Sequence, residues 1–450
     1  MQKKFIKSIL CIFINIILMS NIINAKQLTI ENFKLNNGLE VILIPNNRAP
    51  VIYHGLWYKV GSADSPTRKT GLAHFVEHLM FKGTSKYPKD SFKLIINQLG
   101  GTPYAGTNWD YTTYSITIAK EYIETVMELE ADRMLNLAFN QNDVTKELQV
   151  VLQERRQRTD SNPNQALAEA TNAAFFWQHP YGKPIIGFKH HIESYTYDDA
   201  VNFYQTWYAP NNAILVISGD ISKNTIMPLI NKYYGVIEAK KIPNRSLIRA
   251  KEPFHNTCSN KVSLRNTKLS QNYWAALYSA PNHSSKDVTT EAALNLLEFI
   301  LGEESFGRLR KNLVEQQKIA FTANAIYTGY MLEPYNFAIY VSPVNVIDTA
   351  TTEHLVLAEI SNLLNNGVNA EELENAKKQY SIYFRFKHDS ITNIADFVGS
   401  NLAYNYQLED IKNWLTILQN VSLKQINDAA TLVFDKPPEV VSYAYPIIEN

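Results

Sequence analysis

The chain has 450 residues, too many for one ordinary domain and enough for two. A hydrophobic fraction of 45% and a charged fraction of 19% are those of a folded globular protein. The 43 Lys and Arg balance 43 Asp and Glu. With no basic stripe or acidic tail, that balance argues against nucleic acid as a partner.

The first 25 residues read as a leader. Lys3, Lys4 and Lys7 precede an apolar run from Ile9 to Met19, and a polar stretch then ends in the small residue Ala25. This is the layout of a signal peptide cut after Ala25. The run is shorter than the roughly 20 residues of a spanning helix, and no later segment is apolar enough to span. The expectation is therefore a periplasmic or secreted protein without a stable membrane span. Of the two cysteines only Cys258 would remain, so no internal disulfide is expected.

Beyond the leader, the same order of elements is predicted twice. In the first half, strands are predicted at Glu40 to Ile44 and Val51 to Val60, and helices at about Thr70 to Phe81 and Asp90 to Leu99. A strand from Thr112 to Ala119 follows, then helices at about Ile123 to Leu137, Asp143 to Arg158 and Asn164 to Trp177. Ala213 to Ser218 reads as a short buried strand. In the second half, strands at Trp274 to Ser279 and Phe321 to Tyr327 accompany helices at Thr289 to Leu301, Arg308 to Gln316, Glu353 to Asn365 and Ala370 to Phe384. A charged, aperiodic stretch with Pro243 and Pro253 is the linker candidate. The reading is an α+β protein with two similar domains, residues 26–240 and 257–450, joined by a linker at 241–256.

The helix near residue 75 carries the chemistry. Leu72, Phe75, Val76, Leu79 and Met80 recur at helical spacing and form one apolar face. His74, Glu77 and His78 project from the other, with Thr70 a candidate cap and Gly83 a candidate stop. Imidazoles at i and i+4 lie one turn apart and can grip one metal ion. Glu77 lies between them in angle, the inverted zinc-peptidase pattern H-x-x-E-H. A catalytic zinc site takes three protein ligands. The helix from Asp143 offers Glu147 and Glu154, two turns apart on one face, and spacing does not choose between them.

The stretch Gly71-Leu72-Ala73-His74-Phe75-Val76-Glu77-His78-Leu79-Met80-Phe81-Lys82-Gly83-Thr84 resembles the metal helix of the pitrilysin family of zinc peptidases, which includes the mitochondrial processing peptidase. Val150-Val151-Leu152-Gln153-Glu154 fits the family's third-ligand pattern, so the resemblance makes Glu154 the third ligand and Glu147 its supporting acid. His179-Pro180-Tyr181-Gly182 and Tyr208-Ala209-Pro210-Asn211-Asn212 match structural signposts. The resemblance implies two homologous domains, each a mixed sheet backed by helices, around a central cavity, with no metal motif in the second half at Leu294 to Glu298. It also implies a Zn2+ cofactor, Glu77 as general base, and peptide substrate pairing with an edge strand at Ala105, Gly106 and Thr107.

Three positions depart from the family pattern. Tyr104 stands where Asn is usual, and Val314 and Phe321 replace an Arg and a Tyr that help hold substrate. A valine cannot donate a hydrogen bond and phenylalanine has no hydroxyl. The implied protein is the metal-bearing subunit of a homodimer, or of a heterodimer whose metal-less homologue supplies the Arg and Tyr. The rival expectation is a non-catalytic structural or peptide-binding subunit of the same fold.

Overall fold

The computed structural model describes residues 29–249, 259–344 and 348–447. The leader, Cys258 and the end of the linker candidate lie outside them. Six strands form the first sheet: β1 (Glu31–Lys34), β2 (Glu40–Pro45), β3 (Val51–Tyr58), β4 (Thr102–Thr107), β5 (Thr112–Ala119) and β6 (Ala213–Gly219). Their order is β1-β2-β6-β3-β5-β4. Only β2 and β6 run parallel, with Glu40 opposite Ile214. The helices of this half are α1 (Leu72–Leu79), α2 (Ser91–Gln98), α3 (Ile123–Asn136), α4 (Gln141–Arg155), α5 (Pro163–Phe176), α6 (Tyr197–Trp207) and α7 (Lys223–Tyr233).

The second sheet contains β7 (Asn260–Asn266), β8 (Tyr273–Ala280), β9 (Ala320–Tyr327), β10 (Tyr335–Pro343) and β11 (Val440–Pro446), in the order β7-β11-β8-β10-β9. Its helices are α8 (Val288–Gly302), α9 (Thr349–Asn366), α10 (Ala370–Lys387), α11 (Ile391–Ala403), α12 (Leu408–Gln419) and α13 (Leu423–Phe434). Again one pair is parallel, β7 with β11. Without β1, the first sheet reads in the same neighbour order as the second, so the repeat predicted from the sequence is a repeat of topology.

The apolar runs of the central strands are continuous because both sheet faces are covered. Val41, Leu43, Leu56 and Tyr58 face the helices of their own half, while Ile42, Ile44, Tyr53 and Trp57 face the other half. The cover is exchanged. Helix α5, from the first half, packs on β7 and β11, and α11, from the second, packs on β3 and β6. Gly399 permits that second contact, since a Cβ there would stand 2.6 Å from the Trp57 ring.

Three local expectations are corrected. Gly71, not Thr70, precedes the site helix; the Thr70 hydroxyl instead pairs with His191 Nδ1 at 2.7 Å. The helix predicted to reach Arg158 leaves α geometry after Arg155 and makes a π turn over Arg156–Asp160. The stretch predicted as an ordinary helix from Arg308 likewise becomes a π turn over Arg310–Gln316. In the linker candidate, a short helix at Arg245–Ile248 is held to the first half: Arg245 and Arg249 both pair with Asp64, and Arg249 also with Asp110 at 2.6 Å.

Candidate metal centre

Helix α1 starts from a backbone that only glycine adopts freely. Gly71 has φ +88°, and a Cβ there would meet Ile186 O at 2.4 Å. Leu72, Phe75, Val76 and Leu79 bury the core face. The opposite face is not a solvated one, because His74 and Glu77 are each only 9% exposed. The polar trio thus lies on the floor of a cleft of about 1150 Å3, walled by β4, by α4 and α5, and by the loop 182–186.

Helix α4 opens with a capping box between Asn140 and Asp143 and buries Val144 and Val151. That packing turns Glu147 and Glu154 toward α1. His74 Nε2 and His78 Nε2 lie 3.7 and 3.3 Å from Glu154 Oε2, and His74, His78 and Glu154 offer ligand atoms within 4.8 Å of one another. Ligands at about 2.0–2.1 Å around a tetrahedral ion stand roughly 3.3 Å apart, so this donor set fits zinc. Glu147 Oε1 lies 2.9 Å from His78 Nδ1, a contact that holds the ring with Nε2 toward Glu154. Glu147 also pairs with Lys82.

The electrostatics favour a cation between these groups. Burial, with the neighbouring His78, lowers the His74 pKa to about 4. Burial also pulls His78 down, but hydrogen bonds to Glu147 and Glu154 outweigh it and raise His78 to about 9. Two carboxylates therefore hold positive charge at the point where the imidazole nitrogens converge. Burial raises the pKa of Glu77, opposed by a hydrogen bond from Thr107 Oγ1 to Glu77 Oε2 at 2.7 Å.

Several participants escaped the sequence reading. Arg155, next to Glu154, donates to Gly187 O at 2.7 Å and pairs with Glu169. The same Gly187 packs against Gly71, so one loop sets both ligand-bearing helices. Arg158, carried by the π turn, pairs with Glu154 Oε1 at 2.9 Å. Thr107, expected to meet substrate, has its hydroxyl on Glu77. Among the described residues β4 is the last strand of its sheet and pairs with β5 alone. Tyr104 on it is 62% exposed. Val314 packs against the second core and Phe321 lies exposed on β9.

Two sheets backed by helices, with a His-His-Glu cluster and an adjacent buried acid in a cleft, define a protein of the metallopeptidase kind in fold and site. Residues 40–189 match the family model described as insulinase, peptidase family M16, and residues 194–380 match the peptidase M16 inactive domain. The chain belongs to peptidase family M16. It is 28% identical to the zinc protease PqqE of Helicobacter pylori over 90% of this chain and 93% of that one. It is 22% identical to the mitochondrial-processing peptidase subunit beta of Lentinula edodes, over 82% of this chain and 80% of that one. The crystal structure of a protease from Helicobacter pylori superposes with a TM-score of 0.84 at 25% identity, covering 93% of this chain and all of that one. The first half of the periplasmic protease PqqL from Escherichia coli follows at 0.78 and 18% identity, covering 93% and 92%. Among the described residues no helix is long and apolar enough to cross a membrane.

Proposed function

We propose that the chain is a zinc-dependent endopeptidase that hydrolyses peptides or unfolded segments outside the cytoplasm. The observation that carries this reading is the convergence of His74, His78 and Glu154, with the Glu77 carboxylate alongside in the same cleft. His74, His78 and Glu154 would hold the zinc, with Glu147 orienting His78. When bound, zinc supplies Lewis-acid polarisation of a carbonyl and a water of lowered pKa. Glu77 Oε2, held by Thr107, takes the proton of the attacking water and returns it to the leaving amine. The free edge of β4 at Ala105 and Gly106 pairs with the substrate backbone, which brings the scissile bond beside Glu77 while tolerating varied side chains.

Val314, packed against the second core, and Phe321, exposed on β9, cannot supply the Arg and Tyr that the family pattern has at these positions. This supports a dimer whose second subunit, a like chain or a metal-less homologue, supplies an Arg and a Tyr. The leader-like first 25 residues support export to the periplasm or beyond.

The test pairs turnover with metal content. A fluorogenic peptide should be cleaved, the activity should vanish with a chelator, and zinc should restore it. Glu77→Gln should keep one zinc per chain and lose activity by about 100-fold or more. Zinc retention with undiminished turnover in that variant would remove Glu77 from the chemistry. Absence of zinc binding would favour the structural or peptide-binding alternative.

A further inference from the structure

A second chamber, of about 660 Å3, lies on the far side of β4 from the metal cleft. The two cavities share Tyr104, Gly106 and Thr107, so an extended chain lying along this strand passes from one to the other. The second-half walls come from α8, α10 and α11. Helix α8 follows β8 as α1 follows β3, and it carries Glu298 where the first half carries its metal motif. Glu298 faces an aromatic enclosure that includes Phe299, Tyr327, Tyr330, Tyr380 and Tyr383.

Among the described residues no ion pair to a basic side chain is formed by Glu298, which is half-buried. Its interactions are a hydrogen bond from the Tyr327 backbone N–H and the longer-range fields of Lys387 and, opposing it, Glu303. The consequence is a carboxyl that burial pushes up to about 8. The other charges facing the chamber are few. Asp396 accepts from the Tyr53 hydroxyl. His388 is bonded through Nδ1 to Phe384 O, and burial lowers it to about 4, so it is neutral. Lys387 is exposed at the mouth, its ammonium 5.2 Å from the Tyr383 ring centre. The aromatic wall thus already engages one cation, and two carboxyl groups face a single ammonium.

We propose that this chamber is a specificity subsite for a cationic side chain, Lys or Arg, of the peptide bound along β4, with Glu298 as the counter-ion. The inference rests on the peptidase reading above. A half-buried carboxyl without an ion pair is costly when ionised, and an entering guanidinium or ammonium relieves that cost. The aliphatic stem of the same side chain packs on the rings while the head lies over their faces. A neutral aromatic side chain would fill the enclosure and leave Glu298 unpaired, so the chamber selects charge as well as size.

The experiment uses the full chain carrying Glu77→Gln, loaded with zinc, so that binding is read without cleavage. A single Arg is moved through an otherwise neutral labelled decapeptide, and each member is matched by one with citrulline, its uncharged isostere. Fluorescence anisotropy should give about a ten-fold tighter Kd for Arg over citrulline at one position of the series. In the same background Glu298→Gln should bring that ratio to near one. Lys387→Met, at an exposed site, removes the competing ammonium and should raise it. Equal binding of the Arg and citrulline peptides throughout the series would overturn the proposal. So would a ratio that neither variant moves. Failure of the wild-type chain to cleave any of these peptides bears instead on the peptidase reading, which the binding ratio does not test.

Discussion

At the residue scale, the contact that most shapes the chemistry joins Thr107 to Glu77. Burial opposes ionisation of Glu77, while the Thr107 hydroxyl donates to Oε2 and favours it. A hydrogen bond to a charged group contributes about 1.5–3 kcal/mol. Thr107→Val keeps the shape and removes the donor. The expected result is a kcat lower by about ten-fold or more, with KM within about two-fold and zinc content unchanged, and Thr107→Ser should recover most of the rate. Equal kcat for the valine variant and the wild type would assign the hydroxyl no part in holding Glu77. The same contact marks the limit of what residue spacing reveals. His74, Glu77 and His78 were readable because a helix turn brings i and i+4 together. Glu147 and Glu154 both lay on the right face, and spacing did not separate them; the family resemblance named Glu154, and the fold sets Glu147 on His78 Nδ1 and Glu154 against both Nε2 atoms. The bonds from Thr107 to Glu77 and from Arg155 to Gly187 cross 30 and 32 residues with no local periodicity to announce them.

At the element scale, the central strands of the first sheet and the exchanged helix α5 were legible, whereas β10, β11 and the helices after α10 were not. Strand β3 is a largely apolar run and β5 alternates Tyr114, Ile116 and Ile118 with Ser115 and Thr117, and both form at their predicted positions. Strand β7 alternates in polarity and completes its sheet only by pairing with β11, far along the chain. Its parallel partner is set by topology, which no local window contains. Strand β3 also carries a titratable group with a measurable effect. His54 is fully buried, and its Nε2 pairs with the Tyr234 hydroxyl at 2.8 Å. Burial first, and the Arg133 charge next, lower its pKa to about 3. In the unfolded chain the ring takes its proton near 6.5. Between those values the unfolded state binds the extra proton, so stability falls as pH drops below 6.5. The slope is at most about 1.4 kcal/mol per pH unit for this one ring. Urea unfolding at pH 7.5 and 5.5 should show a loss in the wild type that is smaller by about 1 kcal/mol in His54→Gln. Parallel losses in the two proteins would mean that His54 is protonated in the folded state.

At the scale of the whole molecule, each half completes the other. Helix α5 covers the second sheet and α11 the first, and the ties between them are buried. Asp110 accepts from Arg249, from the Tyr181 hydroxyl and from Leu332 N, joining the linker region, the first half and a second-half loop at one carboxylate. Tyr53, on the first sheet, donates to Asp396 on α11. A close approach is that of Gly399 to Trp57, and it allows a test whose sign is diagnostic. In an exposed helix interior, Gly→Ala stabilises by about 1 kcal/mol through helix propensity. Here the new methyl would stand 2.6 Å from the indole ring of a fully buried tryptophan, so α11 must lift from β3 and β6. Overpacking of that kind costs about 1–3 kcal/mol. Gly399→Ala should therefore lower stability by about 1 kcal/mol or more, with a changed near-ultraviolet circular dichroism from Trp57. Adding Trp57→Phe should make the alanine less harmful, because the smaller ring leaves room for the methyl. Trp57 also lines the chamber that holds Glu298, so displacement of α11 should reduce discrimination between Arg and citrulline peptides in parallel with stability. A stabilised Gly399→Ala variant would show that the halves do not meet at this contact, and that the enclosure on the second side of β4 is not maintained by α11.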